Sequence, residues 1–365
     1  MSAHSHMPRS AWVYPTLAVL LFGSTIYPGL GFTHSLPGFV FAAVLLVILF
    51  GTVFAAVHHA EVIAHRVGEP FGTLLLTLSV TVIEVALIAT IMLGDKAAAS
   101  LARDTVFAVV MIVCNGLVGI CILAGGLRYK EQDFQVTGVN VYLGVLIVLA
   151  TITLVLPNYT RATPGPIYSA PQLAFVCVVT VVLYGVFLYT QTIRHRDYFI
   201  VETDQEEAEH ASAPVQELVL SSALLLVSLG AVVLLAKKFS LVVDAGAAAI
   251  GAPPAFAGVV VALLVLLPES IAALSAARKN DLQKSLNLAL GSSLATIGLT
   301  IPAVAIATYV LGKTLVLGLD GRDTVLLVMT MFVSLTTFGT GRTNIMFGLV
   351  HTLIFAVYIF LVLSP

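Results

Sequence analysis

The sequence predicts an all-α polytopic membrane protein with about 11 transmembrane helices. Of its 365 residues, 59% are hydrophobic and only 10% are charged, whereas soluble domains carry about 25% charged residues. Apolar runs recur along the whole chain, and most are close to the roughly 20 residues that a helix needs to cross the hydrocarbon core. Membrane barrel strands would instead alternate over about ten residues. The pattern therefore indicates helices and excludes an ordinary water-soluble domain.

Eleven apolar runs are read as spans, with a polar break between the sixth and the seventh. The first is expected to be a retained helix, because no small-residue cleavage site follows the apolar stretch that begins after Arg9. The predicted spans are 11–31, 38–57, 70–93, 105–125, 139–157, 170–190, 217–236, 254–277, 284–310, 323–339 and 344–363.

The polar break divides the chain into two halves. It is predicted to be an acidic cytoplasmic linker, 194–216, that is simply solvated; a metal-attracting role is the alternative. We expect an N-terminal segment with the first helix over 1–31, a first five-helix repeat over 38–193 and a second over 217–365. The linker region carries acidic residues at Glu202, Asp204, Glu206, Glu207, Glu209 and Glu217.

The distribution of Lys and Arg predicts the orientation. With the N-terminus in the cytoplasm, ten of the 17 basic residues fall in inside loops and seven in outside loops. Cytoplasmic loops carry the excess of Lys and Arg. The N-terminus is therefore expected in the cytoplasm and the C-terminus on the outside.

Two segments of the chain share a pattern that indicates an internal repeat. Phe71 precedes Glu84 by thirteen residues, and Phe256 precedes Glu269 by the same step. The two acids are five predicted spans apart, so the second copy would enter the membrane from the opposite side. Secondary transporters are often built from such inverted repeats, with the site between the copies. Chance similarity between two apolar helices is the alternative.

Glu84 and Glu269 each fall near the middle of a predicted span. A charge at the bilayer centre costs at least about 2.5–3.5 kcal/mol on insertion scales. A protonated glutamate that only hydrogen-bonds a neighbouring helix would avoid that cost. The functional interpretation is a pair of metal-binding carboxylates that hold either protons or a cation, because two ionised glutamates would repel each other.

Polar groups accompany both acids. Thr81 shares a helix face with Glu84, and Pro268 cannot donate to the carbonyl of Leu264. On the ninth span Ser292 and Thr296 share a face, and Asn115 is their approximate counterpart on the fourth span. Ca²⁺ prefers about six to eight oxygen ligands, and Na⁺ or K⁺ would accept a similar site. Each hydroxyl taken singly could instead bond its own backbone.

Other reactive side chains give weaker signals. His58, Glu61 and His65 share a helix face, which allows a zinc site. An interfacial polar helix is the preferred interpretation, and pH sensing is the alternative to it. The cysteines at 114, 121 and 177 lie in apolar runs without metal-binding spacing. A net charge of −2 without a basic patch excludes nucleic acid as a partner.

Several segments resemble the calcium/proton antiporter branch of the cation/calcium exchanger superfamily. Residues 58–88 (HHAEVIAHRVGEPFGTLLLTLSVTVIEVALI) resemble its first signature repeat, and residues 268–302, from PESIAALS to GLTIP, resemble its second. Residues 103–113, 123–128 and 338–348 are also similar to the bacterial ChaA-type antiporters of calcium, sodium and potassium. The resemblance covers nearly the whole chain.

The resemblance implies ten core helices in two inverted halves, one extra N-terminal helix, and proton influx driving cation efflux at the inner membrane. It implies that Glu84 and Glu269 bind the ion, that Ser292 and Ser293 belong to a Gly-Ser-Ser element, and that Asn115 occupies a polar position of the first repeat. The family's usual Gly-Asn-Ala before each glutamate is absent here, in keeping with a selectivity that is broader than calcium alone. Beyond the transported ions no cofactor is expected, and a homo-oligomer is left open.

Alternative functions remain at this point. A Na⁺/H⁺ or K⁺/H⁺ antiporter with little calcium transport would use the same fold. A membrane-embedded metal-dependent enzyme would need a nucleophile or metal motif, and neither GxSxG nor HExxH occurs in the sequence. A passive cation channel would favour rings from symmetric subunits over an inverted pair within one chain.

Overall fold

The computed structural model describes residues 7–25, 31–33, 35–68, 71–93, 99–199 and 215–364. Within these ranges the chain is almost entirely helical, as the apolar runs predict. The α-helices are α1 (Arg9–Ser24), α2 (Leu36–Val67), α3 (Phe71–Met92), α4 (Leu101–Met111), α5 (Val118–Tyr129), α6 (Val136–Ala150), α7 (Ala170–Tyr189), α8 (Val215–Ala249), α9 (Ala255–Arg278), α10 (Leu282–Ala295), α11 (Ile301–Val310), α12 (Gly321–Phe338) and α13 (Ile345–Leu363).

Polar side chains begin several of these helices. Asp281, Asp320 and Asn344 precede α10, α12 and α13, and each accepts a hydrogen bond from a backbone N–H two or three residues later, at 3.0, 2.9 and 3.0 Å. These caps satisfy donors that have no partner inside the helix. The starts of three helices are thus encoded locally.

Two long helices are interrupted by a π-helical turn at corresponding places. The Asn115 turn (Ile112–Leu117) joins α4 to α5, and the Thr296 turn (Thr296–Thr300) joins α10 to α11. Pro302 cannot donate to the carbonyl of Gly298, which gives a physical reason for the second interruption. Such turns often occur at functional sites.

The part of the chain that is described contains nine helical stretches long and apolar enough to cross a membrane. They are Leu36–Val67, Phe71–Met92, Leu101–Tyr129, Val136–Tyr159, Ala170–Arg194, Val215–Ala249, Ala255–Arg278, Leu282–Val310 and Ile345–Leu363.

Two span boundaries predicted from apolar runs are wrong. The run 38–57 belongs to α2, which continues to Val67, and the run 217–236 belongs to α8, which continues to Ala249. Helical hydrogen bonds continue through residues too polar for a hydropathy criterion, so the runs underestimate helix length. The first predicted span, 11–31, is helical to Ser24, and 26–30 lie outside the described residues. The acidic stretch 200–214 of the predicted linker also lies outside them.

The chain forms two compact units, each made of segments that are distant in the sequence. The first comprises Met1–Gly94 and Ala211–Ala249. In it α2 packs against α3 and α8, and α1 packs against α2. The Thr52 hydroxyl donates to the Ile48 carbonyl at 2.7 Å and also lies 3.3 Å from the Tyr14 carbonyl of α1.

The second unit comprises Asp95–His210 and Ile250–Pro365. In it α9 packs against α4, α5 and α10, α13 packs against α5 and the Asn115 turn, and α7 packs against α11 and the Thr296 turn. The predicted assignment of 38–193 and 217–365 to two inverted repeats concerns topology across a bilayer and stays a prediction.

A short two-stranded sheet was not expected from an all-α prediction. Strands β1 (Glu131–Asp133) and β2 (Arg342–Asn344) pair antiparallel in the second unit. Arg342 and Asp133 form an ion pair across them at 2.7 Å, and buried Gln132 donates to the carbonyl of Ala277 at 3.0 Å. Three residues are too few to show strand alternation in the sequence.

Candidate functional site

The first predicted carboxylate lies within α3 of the first unit. Glu84 is 1% exposed, and Thr81, one turn earlier, is also buried. The Thr81 hydroxyl donates to the Thr77 carbonyl at 2.9 Å, as expected for a threonine in a membrane helix. Because the hydroxyl proton of Thr81 is directed to the Thr77 carbonyl, the lone pairs of Thr81 Oγ1 can still contact a cation. This helix therefore supplies a carboxylate and a neutral oxygen one turn apart.

The second predicted carboxylate lies in α9 of the second unit. Glu269 is half-buried and directly follows Pro268, which α9 accommodates without a break. Proline has no N–H to donate to the carbonyl of Leu264. A backbone oxygen released in this way is tolerated in a membrane where it is buried in protein or lines a cavity. The sequence around Glu269 thus offers a carboxylate beside a carbonyl that lacks its usual helical donor.

Hydroxyl groups lie on α10 and the Thr296 turn, and α10 packs along α9. Ser293 is fully buried, Thr296 is buried and Ser292 is half-buried. Among the described residues, no hydrogen-bond partner lies within reach of Ser293 Oγ. A buried hydroxyl without a partner is uncommon in native proteins, and strain, a bound water or a bound ion can explain it. A ligand oxygen for a cation is one such explanation.

Asn115 is fully buried in the turn that joins α4 to α5. Its Nδ2 donates to Thr330 Oγ1 at 2.9 Å, and its Oδ1 lies 3.2 Å from Nδ1 of His351. The structure thus ties this predicted ion ligand to α12 and α13 of the same unit.

The partners of Asn115 were not among the residues predicted from the sequence, although the sequence contains a signal for them. Thr330, Ser334 and Thr337 recur at four and three residues in an otherwise apolar span, which places them on one helix face. His351 is the only Asp, Glu, Lys, Arg or His in the last apolar run, 344–363. An intramembrane ionisable residue is a functional candidate by default.

The predicted site residues fall into two groups. Those of the second unit lie on α9, on α10 and in the two π-helical turns. Helix α10 contacts α9 and both turns, and α9 also contacts the Asn115 turn. A single pocket formed by both groups stays a prediction. The first unit contains Glu84 and Thr81, and the second contains Asn115, Glu269, Ser292, Ser293 and Thr296.

The histidine-rich segment considered for zinc lies in the C-terminal part of α2. His58 is half-buried, whereas Glu61 and His65 are exposed. Within the described ranges, no three His, Cys, Asp or Glu side chains are grouped so as to hold a metal ion. Neighbouring His59 is fully buried, and its Nε2–H donates to the Ala11 carbonyl at 2.9 Å. That histidine thus links α2 to α1.

The sequence matches the profile of the family described as sodium/calcium exchanger protein over residues 37–193 and 220–364. The protein named "Putative ionic transporter y4hA" from Sinorhizobium fredii is 45% identical over 364 residues, 99% of this chain and 98% of that protein. The sodium-potassium/proton antiporter ChaA of Escherichia coli is 36% identical, over 96% of this chain and 95% of that one.

A solved structure shares the fold. The crystal structure of the Ca²⁺/H⁺ antiporter protein YfkE superposes with a TM-score of 0.72 at 17% identity, and the match covers 98% of this chain and 100% of that one. The helical architecture is therefore that of a known transporter fold.

Proposed function

Because the chain belongs to the sodium/calcium exchanger protein family, we propose that it exchanges Ca²⁺, Na⁺ or K⁺ for protons by alternating access. It is an ion antiporter and not an enzyme. The observation that carries the proposal is the pair of matched glutamates: Glu84 and Glu269 lie within apolar helices, each thirteen residues after a phenylalanine. The cost of a charge at that depth indicates a function that requires it.

In the proposed mechanism, the two carboxylates hold either protons or a cation. Two ionised glutamates that face one site repel each other, and either a bound cation or a proton relieves that repulsion. Occupancy by one therefore excludes the other, which couples the two fluxes. Further oxygens would complete the coordination shell: those of Thr81, Asn115, Ser292, Ser293 and Thr296, and the carbonyl of Leu264.

Two observations bear on which cation is exchanged. The Escherichia coli relative is named a sodium-potassium/proton antiporter, and this chain has Val82-Ile83 and Leu267-Pro268 directly before its glutamates, so asparagine oxygens are missing there. Ca²⁺ prefers about six to eight oxygen ligands including carboxylates, whereas Na⁺ or K⁺ would accept a similar oxygen site with less charge. A Na⁺/H⁺ or K⁺/H⁺ antiporter with little Ca²⁺ transport is therefore the second candidate.

The proposal also includes the placement of the protein. The excess of Lys and Arg in alternate loops supports a cytoplasmic N-terminus and an outside C-terminus in the inner membrane. The order of helices supports two inverted five-helix repeats over 38–193 and 217–365, with the N-terminal segment 1–31 and the linker 194–216 outside them. Exposed apolar side chains such as Leu20 and Phe175 would face lipid. The proposed partners are the transported ions and the lipid bilayer. A homo-oligomer would add further copies of the same chain.

The test is cation-driven proton movement in everted membrane vesicles from a host that lacks its own antiporters. After respiration acidifies the interior, Ca²⁺, Na⁺ or K⁺ added outside should release protons, reported by a pH-sensitive dye. Glu84→Gln and Glu269→Gln should each abolish this release, because the amide cannot exchange a proton for a cation.

Glu131→Gln provides the matched control, because Glu131 lies exposed in β1 and the substitution is the same. It should leave the rate unchanged. Wild-type rates in Glu84→Gln or Glu269→Gln would contradict the assigned roles. Comparing the three cations in one preparation separates the calcium exchanger from the monovalent one.

A further inference from the structure

Three helical segments of the second unit are joined by a buried chain of hydrogen bonds. Asn115 Nδ2 donates to Thr330 Oγ1 on α12 at 2.9 Å, and Asn115 Oδ1 lies 3.2 Å from His351 Nδ1 on α13. His351 Nε2 lies 3.0 Å from Thr337 Oγ1, again on α12. All four residues are 0% exposed. We call these residues the His351 clamp.

Met111 determines the direction of these hydrogen bonds. Its Sδ lies 3.8 Å from Asn115 Nδ2 and 3.5 Å from Thr330 Oγ1. A thioether can only accept, so the amide nitrogen of Asn115 must be on the Met111 side and the oxygen must face His351. Nδ1–H of the imidazole then donates to Asn115 Oδ1, and Nε2 accepts from the Thr337 hydroxyl. A neutral imidazole with its proton on Nδ1 fits the contacts with Asn115 and Thr337, and the ring also has a hydrogen bond to the backbone of Cys114 in the same turn.

Close packing holds the imidazole in place. The ring stacks on Phe338 with centroids 6.2 Å apart. A Cβ at Gly119 would lie 2.7 Å from Thr352 Oγ1, and one at Gly348 would lie 2.9 Å from Leu123, so α5 and α13 approach as closely as glycine permits. Small residues allow such contacts between membrane helices. His351 is therefore fixed relative to the turn that carries Asn115.

We propose that His351 is a positioning residue that sets cation affinity by fixing the amide of Asn115. This inference rests on the proposed function, in which Asn115 contributes an oxygen to the site. An amide oxygen has two lone pairs, so Oδ1 can accept from His351 and still contact a cation. Groups that orient a ligand through a hydrogen bond strongly affect binding although they do not touch the ion.

Three substitutions of His351 distinguish the role of its Nδ1 from the role of its Nε2. The amide nitrogen of asparagine can replace Nδ1, whereas that of glutamine lies nearer the position of Nε2. His351→Asn should keep the donor to Asn115 and a KM for the cation within about twofold of wild type. His351→Gln and His351→Leu lose this donor, and each should raise KM about tenfold with little change in the maximal rate. His195→Leu, in the loop after α7, is the control for a lost histidine.

Equal KM values for the Asn and Gln variants, or a wild-type KM for His351→Leu, would overturn the proposal. If none of the three accumulates in the membrane, Thr337→Val removes only the donor to Nε2. It should raise KM several-fold, and an unchanged KM would count against the clamp.

A second measurement does not depend on transport. ¹⁵N NMR of histidine-labelled wild type, with His351→Gln used for assignment, should show a neutral imidazole protonated on Nδ1; protonation on Nε2 would overturn the inference. If wild type shows this tautomer but moves no protons, the proposed function fails while the clamp stands. If Glu84→Gln abolishes exchange but His351→Leu keeps its KM, the clamp alone fails.

Discussion

The Asn115 turn and the Thr296 turn are the same backbone irregularity in two different environments. The Asn115 turn is joined to α12 and α13 by hydrogen bonds of the His351 clamp. At the Thr296 turn the tightest contact is with α7: a Cβ at Gly298 would lie 2.8 Å from the Cβ of Tyr184. Both turns lie in the second unit, each against the last helix of one half of the chain.

This difference shows that similar backbones in the two halves do not imply similar energetics. Hydrogen bonds are directional and need a specific partner, whereas aromatic packing depends mainly on volume. We therefore expect the Asn115 turn to be sensitive to changes of polarity and the Thr296 turn to changes of size.

The largest effect is expected for Asn115→Leu. It removes the side-chain oxygen that His351 contacts and the donor to Thr330, and a buried group that loses its partner costs about 1–3 kcal/mol. The free energy of unfolding should fall by about 2–4 kcal/mol in total, seen as a lower thermal unfolding temperature of the detergent-solubilised protein.

Thr330→Val is the partial version of that change, because it removes one partner and keeps His351 bonded to Asn115. It should lower the unfolding temperature by less than half as much. A loss as large as that of Asn115→Leu would mean that Thr330, and not His351, is the main anchor of the turn.

An intermediate effect is expected for Gly298→Ala. The new methyl group would lie 2.8 and 3.0 Å from Cβ and Cγ of Tyr184, atoms close to the backbone that cannot move away easily. Overpacking of this kind costs about 1–3 kcal/mol, again measured as a lower unfolding temperature.

Gly116→Ala in the other turn is the matched control. Its methyl group would lie 3.2 Å from the ring of Phe355, which can tilt, and alanine gains roughly 0.5–1 kcal/mol over glycine within a helix. Gly116→Ala should therefore be neutral or slightly stabilising. Equal destabilisation by both substitutions would remove the distinction between the two turns.

The existence and order of the helices could be predicted because apolar runs of sufficient length have few other solutions in a membrane. The runs did not reveal that α2 and α8 extend by about ten residues or more, because hydropathy responds to side chains and not to backbone hydrogen bonds. Pro302 gave a local reason for the Thr296 turn, but no comparable local signal marked the Asn115 turn.

In the candidate site, the polar and charged residues that lie within apolar runs could be recognised from the sequence. Glu84 and Glu269 stand out by charge, and Asn115 by its amide. The partners of Asn115 were missed because Thr330 and His351 lie more than 200 residues further along the chain. Spacing within one helix can place polar residues on one face, but it does not show which distant residue they contact, so this part of the site required the fold.

The smallest effect on stability, and the most specific one, is expected for Met111→Leu. Volume-conserving apolar exchanges usually cost less than about 1.5 kcal/mol, so the unfolding temperature should change little. Without the thioether, however, a flipped amide also fits the contacts of His351 with Asn115 and Thr337: Asn115 would donate to Nδ1, and Nε2–H would donate to Thr337. ¹⁵N NMR should then show a second His351 tautomer with its proton on Nε2.

Met331→Leu on α12, also buried, is the control and should retain one tautomer. A single Nδ1–H form in Met111→Leu would show that the amide is oriented by something other than sulfur.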